Sequence, residues 1–153
     1  MSNQTTAYDA IIAALDTLLP GASGWTKIPY AYELEKNDDN FLRKGWGVTV
    51  GDANRTDLEW CDLAFTRSIT VVITLEVFNT GSNDVQIDDK AKELLETIYS
   101  VQARFYEPDN LLQAASIVKI DPTSSSGVRQ VSGERLTFLS MEASFDFTIK
   151  EQV

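Results

Sequence analysis

The feature that most limits the fold is a stretch of twelve residues at 67–78, RSITVVITLEVF, in which apolar and mainly polar side chains nearly alternate. Because successive side chains of a strand point to opposite faces, the pattern predicts one long strand. Its apolar face holds Ile69, Val71, Ile73, Leu75 and Val77, and its second face holds Ser68, Thr70, Val72, Thr74, Glu76 and Phe78. Such a strand spans about 40 Å, which is about twice the usual length.

A second alternating stretch, RLTFLSMEASFDFTIK at 135–150, predicts another long strand. One face holds Leu139, Met141, Ala143, Phe145, Phe147 and Ile149, and the other holds Ser140, Glu142, Ser144, Asp146 and Thr148. Leu136 and Phe138 fall out of phase with the apolar face, so we expect a bulge or twist near Leu139. Another strand is predicted at 113–121, directly before this one in the chain, so we expect the two to form a closing hairpin.

Two segments carry apolar residues at helical spacing. The first helix is predicted at 6–19, with Thr5 or Thr6 as its cap and Pro20 at its end. The second is predicted at 87–107, and the residues of its inward face are Ile87, Ala91, Leu94, Leu95, Ile98, Val101, Gln102 and Phe105.

The predicted elements define a fold class. A strand over Gly45 to Gly51 is expected, with 53–62 as a loop before the long strand. Together the elements predict one α+β domain over residues 1–153, in which a four-stranded, mostly antiparallel sheet with long strands carries two amphipathic helices on one face. A helix of about 30 Å cannot cover a strand of about 50 Å. Neighbouring copies in a ring would cover the overhang and the strand edges, so we expect an oligomer.

Composition excludes several function classes. The chain has 13 basic and 23 acidic residues, a net charge of −10, no histidine and one cysteine, Cys61. A nucleic-acid binder needs a basic surplus, and without histidine the usual catalytic triads and zinc sites are not available. No apolar run approaches the ~20 residues of a membrane span, and no signal-peptide pattern opens the sequence. We therefore expect a cytoplasmic protein without enzymatic activity, cofactor, metal or membrane contact.

Two groups of residues are candidate sites. Glu76, Glu142 and Asp146 fall on the polar faces of the long strands, where they form a solvated acidic face, an acidic wall of a channel or, as the least favoured reading, an acid/base pair. The segment 122–134 is small and polar, contains Arg129 and is followed by Arg135, as in an arm that docks on a partner, although an ordinary mobile hairpin tip fits the same pattern. Its candidate contact residues are Ser125, Arg129, Gln130 and Arg135.

The order and texture of these elements resemble a known family. An N-terminal amphipathic helix is followed by KGWGVTVGDANRTD, FTRSITVVITLEVFN, the helix DDKAKELLETIYSVQ and a closing hairpin that ends in MEASFDFTI. This arrangement resembles the tail terminator, or tail completion, proteins of long-tailed bacteriophages. The resemblance covers most of the chain and rests on the order and length of its elements rather than on a short diagnostic motif.

The resemblance implies a hexameric ring in the virion tail, assembled in the host cytoplasm. Such a ring caps the tail tube, ends its polymerisation and helps join the tail to the head. The implied partners are further copies of the chain, the tail tube protein and a head connector or neck protein, while DNA passes through without specific binding. The alternatives are a head–tail connector or neck protein and, less favoured, a small carboxylate-using enzyme.

Overall fold

The computed structural model describes residues 2–28, 44–58, 61–77, 83–132 and 137–151. These residues form an α+β structure, as predicted, with three helices and six strands. The helices are α1 (Asn3–Leu18), α2 (Asn83–Arg104) and α3 (Asn110–Ala114), and the strands are β1 (Trp25–Ile28), β2 (Lys44–Leu58), β3 (Cys61–Val77), β4 (Ile117–Ser125), β5 (Arg129–Ser132) and β6 (Thr137–Lys150).

The strands form one mixed sheet in the order β1-β2-β3-β6-β4, and β5 also pairs with β6. The pairing of β1 with β2 is parallel, and the other pairings are antiparallel. The expectation of four strands is therefore wrong in two places. Residues 25–28 add a parallel edge strand, and the outer edge of β6 is covered by two shorter strands in succession rather than by one.

Strand β2 is twice as long as the sequence predicts. Its pairing with β3 continues to Leu58 opposite Cys61, so the expectation of a loop over 53–62 is wrong for the described part of that segment. The ladder shifts register between Val50 and Ala53. This bulge breaks the alternation of side chains, which explains why the pattern alone does not predict a strand there.

The two long strands predicted from alternation pair with each other along their length. The ladder runs from Ala64 opposite Lys150 to Val77 opposite Thr137 with no shift of register. The bulge expected near Leu139 is therefore wrong. Phe138 keeps its phase because it is buried on the second face of the sheet, with 4% of its surface exposed, opposite Glu76.

The apolar faces of β3 and β6 form the core with the helices, as predicted. The core residues of the two strands are Ile69, Val71, Ile73, Leu75, Val77, Leu139, Met141, Ala143, Phe145, Phe147 and Ile149. At its centre, Phe105 meets Phe145 and Phe147 edge to face, with ring centroids 5.6 Å apart in both pairs. Aromatic pairs prefer this geometry because the positive ring edge meets the negative ring face.

Helix α1 begins earlier than predicted, at Asn3, and ends at Leu18 before Pro20. The expected caps Thr5 and Thr6 are wrong, because the Ser2 hydroxyl caps the helix and accepts a hydrogen bond from the Thr5 amide at 3.3 Å. The carboxylate of Glu151, which directly follows β6, accepts hydrogen bonds from the Asn3 amide at 3.1 Å and from the Gln4 amide at 3.0 Å. A carboxylate at a helix N-terminus is also favoured by the helix dipole.

Helix α2 presents a narrower inward face than predicted. Leu94, Ile98 and Val101 are buried, whereas 52% of Leu95 is exposed, so the expectation that Leu95 faces inward is wrong. A helix packed on a sheet buries one stripe of its surface. Leu95 follows the buried Leu94 by one residue, and one residue turns the helix away from that stripe.

Candidate functional site: the open face of the sheet

The face of the sheet opposite the helices divides into two parts. Even-numbered residues of β3 and β6 share this face, because Ser68 lies opposite Asp146 and Thr70 opposite Ser144. One part, which we call the open face, consists of side chains of intermediate exposure: Thr66, Ser68, Thr70, Glu142, Ser144 and Asp146. The other part, the closed end, consists of buried side chains: Val72, Thr74, Glu76, Phe138 and Ser140.

Hydroxyl groups cross the open face from strand to strand. The Thr66 hydroxyl lies 2.5 Å from that of Thr56 on β2 and 3.1 Å from that of Thr148 on β6. The hydroxyls of Thr70 and Ser144 lie 2.9 Å apart. These hydroxyl groups bond to one another and make the surface polar.

The three predicted carboxylates share this side of the sheet but do not form a cluster. Glu142 lies opposite Val72, four residues along β3 from Glu76 and four along β6 from Asp146. Four residues of a strand span about 13 Å, far beyond the distance at which two carboxyl groups share a proton. Glu76 lies in the closed end with 3% exposure, so Glu142 and Asp146 are the members that reach the open face.

Most of the described residues of the predicted arm belong to strands of the sheet. Ser125 ends β4, and Arg129 and Gln130 begin β5, so a three-residue link joins two strands that both pair with β6. All three side chains are exposed. The fourth candidate contact residue, Arg135, lies outside the described residues.

Three contacts attach the link and the start of β5 to β6. An Arg129 Nη2 nitrogen lies 2.6 Å from Glu142 Oε1, and 51% of the arginine side chain is exposed. The Ser126 amide donates to the Glu142 carbonyl, and the Glu142 amide donates to the Ser126 hydroxyl, both at 2.9 Å. Glu142 therefore binds the link through its backbone and Arg129 through its carboxylate.

Strand β4 extends the charge pattern of the open face. Asp121 lies directly opposite Asp146, and Lys119 Nζ lies 3.3 Å from Asp121 Oδ2. Two carboxylates thus face each other across the ladder, and the Lys119 ammonium lies against one of them. Among the described residues, no group of three or more histidine, cysteine, aspartate or glutamate side chains could hold a metal ion.

A separate charged group lies between α2 and the start of β2. The Glu93 carboxylate contacts Lys44 Nζ at 3.3 Å and Lys90 Nζ at 3.2 Å. Partial burial raises the pKa of Glu93, but the hydrogen bonds and charges of Lys90 and Lys44 outweigh it and hold the pKa below its ordinary value. This group links a helix to the sheet.

The sequence reasoning missed the continuity of the polar surface. Thr56, Thr66 and Asp121 belong to it, and none was a candidate residue. The signal for Thr66 was present, because Thr66, Ser68 and Thr70 take alternate positions on one strand. Thr56 and Asp121 depend on strand pairing, which a single sequence does not reveal.

Comparisons with known proteins give no family for this chain. It matches no family model, and no curated protein matches it. No helix of the described residues has both the length and the apolar character needed to cross a membrane.

Proposed function

We propose that this protein is a structural component of a phage tail: a terminator that assembles as a ring, caps the tail tube, ends its polymerisation and helps join the tail to the head. The observation that carries the proposal is the open face, a long polar wall on a sheet whose other face is filled by helices. In a ring, this wall lines the channel through which DNA passes.

The chemistry of the wall supports this role. Hydroxyls that bond to one another offer little to a passing phosphate group. Asp121 and Glu142 are paired with Lys119 and Arg129, and Asp146 adds negative charge to the wall. A net charge of −10 acts in the same direction over the whole chain. Repulsion between the wall and phosphate groups lets DNA move without specific binding.

The structural role follows from symmetry rather than from catalysis. A tube end presents a ring of identical sites, and a closed ring of copies engages them all at once, which strengthens attachment without any single tight contact. Six copies are what the resemblance implies. The partners are further copies of the chain, the tail tube protein and a head connector, and the location is the virion tail.

The test is a tube-capping experiment with the tail tube protein of the same phage. Growing tubes are mixed with the purified protein, and electron microscopy measures tube length and occupancy of tube ends. We expect bound ends and shorter, more uniform tubes. Unbound ends with uncontrolled lengths contradict the proposal, and binding to DNA-filled heads instead supports a neck protein.

A charge reversal tests the contribution of the link between β4 and β5. We expect Arg129→Glu to fold, because the lost ion pair is exposed and contributes at most about 1 kcal/mol, and to cap tubes at least about tenfold more weakly. The matched control is Arg129→Glu with Glu142→Arg, which restores an ion pair in reversed order. If the double variant stays defective, Arg129 contacts the partner; if it recovers, the pair only positions the link.

A further inference from the structure

A groove of about 260 Å³ lies between the N-terminal half of α1 and the sheet. Its lining residues are Gln4, Thr5, Tyr8, Val50, Arg67, Ile69 and Ile149. The lining is largely apolar, and 50% of Val50, on β2, is exposed. The groove is therefore an apolar surface that opens beside β2.

Arg67 gives the groove its charge. Among the described lining residues it is the one that is charged at neutral pH. Its guanidinium donates to Gln4 Oε1 at 2.6 and 3.1 Å and to the Gly51 carbonyl at 3.0 Å. These acceptors are neutral, so they hold the arginine in place without cancelling its charge. The groove fits an apolar side chain that is flanked by a carboxylate.

Such side chains lie on the opposite side of the helix layer. Helix α3 contacts α1 and β4, whereas the groove lies on the β2 side of α1. Tyr106 is 69% exposed and Leu111 is 54% exposed, and we call these two residues the knob. Glu107 is exposed next to Tyr106 in the sequence. The Asp109 carboxylate is engaged within the chain, because it pairs with Arg104 Nη2 at 3.1 Å and caps α3 by accepting from the Leu112 amide at 3.0 Å. The knob thus has an apolar centre with the Glu107 carboxylate at its rim.

The strand register places knob and groove at the same level of the sheet. Strand β4 pairs with residues 143–149 of β6, and these are level, through β3, with residues 48–55 of β2. Helix α3 directly precedes β4, whose first residue Ile117 pairs with Ile149, a lining residue of the groove. A copy placed side by side with another therefore brings the knob of one to the groove of the next.

The strand edges are compatible with the same arrangement. Among the described strands, none pairs with β2 beyond Gly47 or with the outer side of β4. Because each step from β2 through β3 and β6 to β4 is antiparallel, β4 runs opposite to β2. Adjacent copies thus meet with antiparallel edges, the orientation that forms the more stable ladder.

We infer that the groove at Val50 and Arg67 binds Tyr106 and Leu111 of a second copy of this chain. The contact joins two different surfaces, so it repeats around a ring instead of closing a two-fold dimer. Leu111 and Tyr106 fill the apolar floor, and Glu107 approaches Arg67. The inference rests on the proposed ring and identifies its subunit interface.

Chemical cross-linking tests the contact. In a Cys61→Ser background, Val50→Cys and Leu111→Cys variants are prepared separately and treated with a short bismaleimide at ring-forming concentration. Both substituted residues are exposed, so the variants should fold. We expect covalent dimers only when the two variants are mixed and a ladder of higher species from the double variant. The matched control pairs Val50→Cys with Ala13→Cys, an exposed position on α1, and should remain uncross-linked.

A second variant measures the energetic contribution of the contact. We expect Leu111→Lys to weaken self-association at least about tenfold in mass photometry, because it removes an apolar anchor and places a cation near Arg67. Asn110→Lys, which adds the same charge at a neighbouring exposed position, should have a smaller effect.

The outcomes separate this inference from the proposed function. Rings that cap tubes but give no mixed cross-link overturn the interface and leave the terminator role in place. Mixed cross-links in assemblies that do not bind tube ends support the interface and contradict the terminator role. Cross-links from a single variant alone show a two-fold contact and overturn the inference, as does a protein that stays monomeric at every concentration.

Discussion

The two faces of the β3–β6 ladder use the same backbone for different purposes. On the covered face, Phe145 and Phe147 have no exposed surface and pack on Phe105. On the open face, the next residues along the strand, Ser144 and Asp146, are half-buried and polar. One strand thus supplies a folding core on one side and, on the other, a polar surface that we propose lines the channel of a ring. Changes on the two sides should affect different measurements.

The largest expected effect comes from the covered face. Phe145→Ala should lower the free energy of unfolding by about 3–5 kcal/mol, because it removes a fully buried ring and leaves a cavity. The adjacent change Ser144→Ala removes one partly exposed hydrogen bond and should cost at most about 1 kcal/mol. Urea unfolding of both variants measures the difference. Equal losses of unfolding free energy in the two variants would contradict this distinction between the faces.

A glycine tests how tightly the closed end is packed. A Cβ atom added at Gly45 would lie 2.6 Å from Ile28 Cδ1 and 2.8 Å from Thr74 Oγ1, so Gly45→Ala should destabilise by about 1–3 kcal/mol. Gly127, in the link between β4 and β5, has no atom within 4 Å of such a Cβ. Gly127→Ala should therefore leave the thermal midpoint nearly unchanged. If both variants melt alike, the closed end is not tightly packed.

The smallest expected effect concerns the ion pairs of Glu93 between α2 and β2. Glu93→Gln should cost less than about 1 kcal/mol at pH 7, since the side chains are partly exposed and solvent screens the pairs. The folded-state pKa of Glu93 is lowered, so its contribution is present above the unfolded pKa and is lost as the pH falls through the folded value. The urea midpoints of wild type and variant should therefore converge as the pH falls through the folded-state pKa of Glu93. A difference that persists where Glu93 is fully protonated would show that Glu93 acts through packing.

The sequence predicted best where a pattern is local and regular. Alternation in β3 and β6 gave the correct division of their faces, and the apolar stripe of α1 gave its burial and its end at Pro20. Both patterns depend only on the repeat of a strand or a helix. Leu95 shows the limit of such a pattern. Residue spacing predicts the direction of the apolar face of α2, but it does not predict how wide a part of that face the sheet covers.

The remaining features depend on contacts between distant residues. The second half of β2 is a strand because it pairs with β3, and its bulge hides the alternation. The start of α1 depends on Glu151, which is 148 residues from Asn3. The acidic candidates were assigned to the correct side of the sheet. Glu76 nevertheless lies in the buried closed end, and residue spacing along a strand does not predict which end of a face is buried. The groove joins three strands and a helix, and only the assembled fold reveals it.

A cryo-electron microscopy reconstruction of the protein bound at the end of a tail tube would show directly which face of the sheet lines the channel. We predict a closed ring whose central hole is lined by the open face, with Ser144 and Asp146 toward the channel and the helices outside. A ring whose hole is lined by helices, or a tube end with no ring, would contradict it.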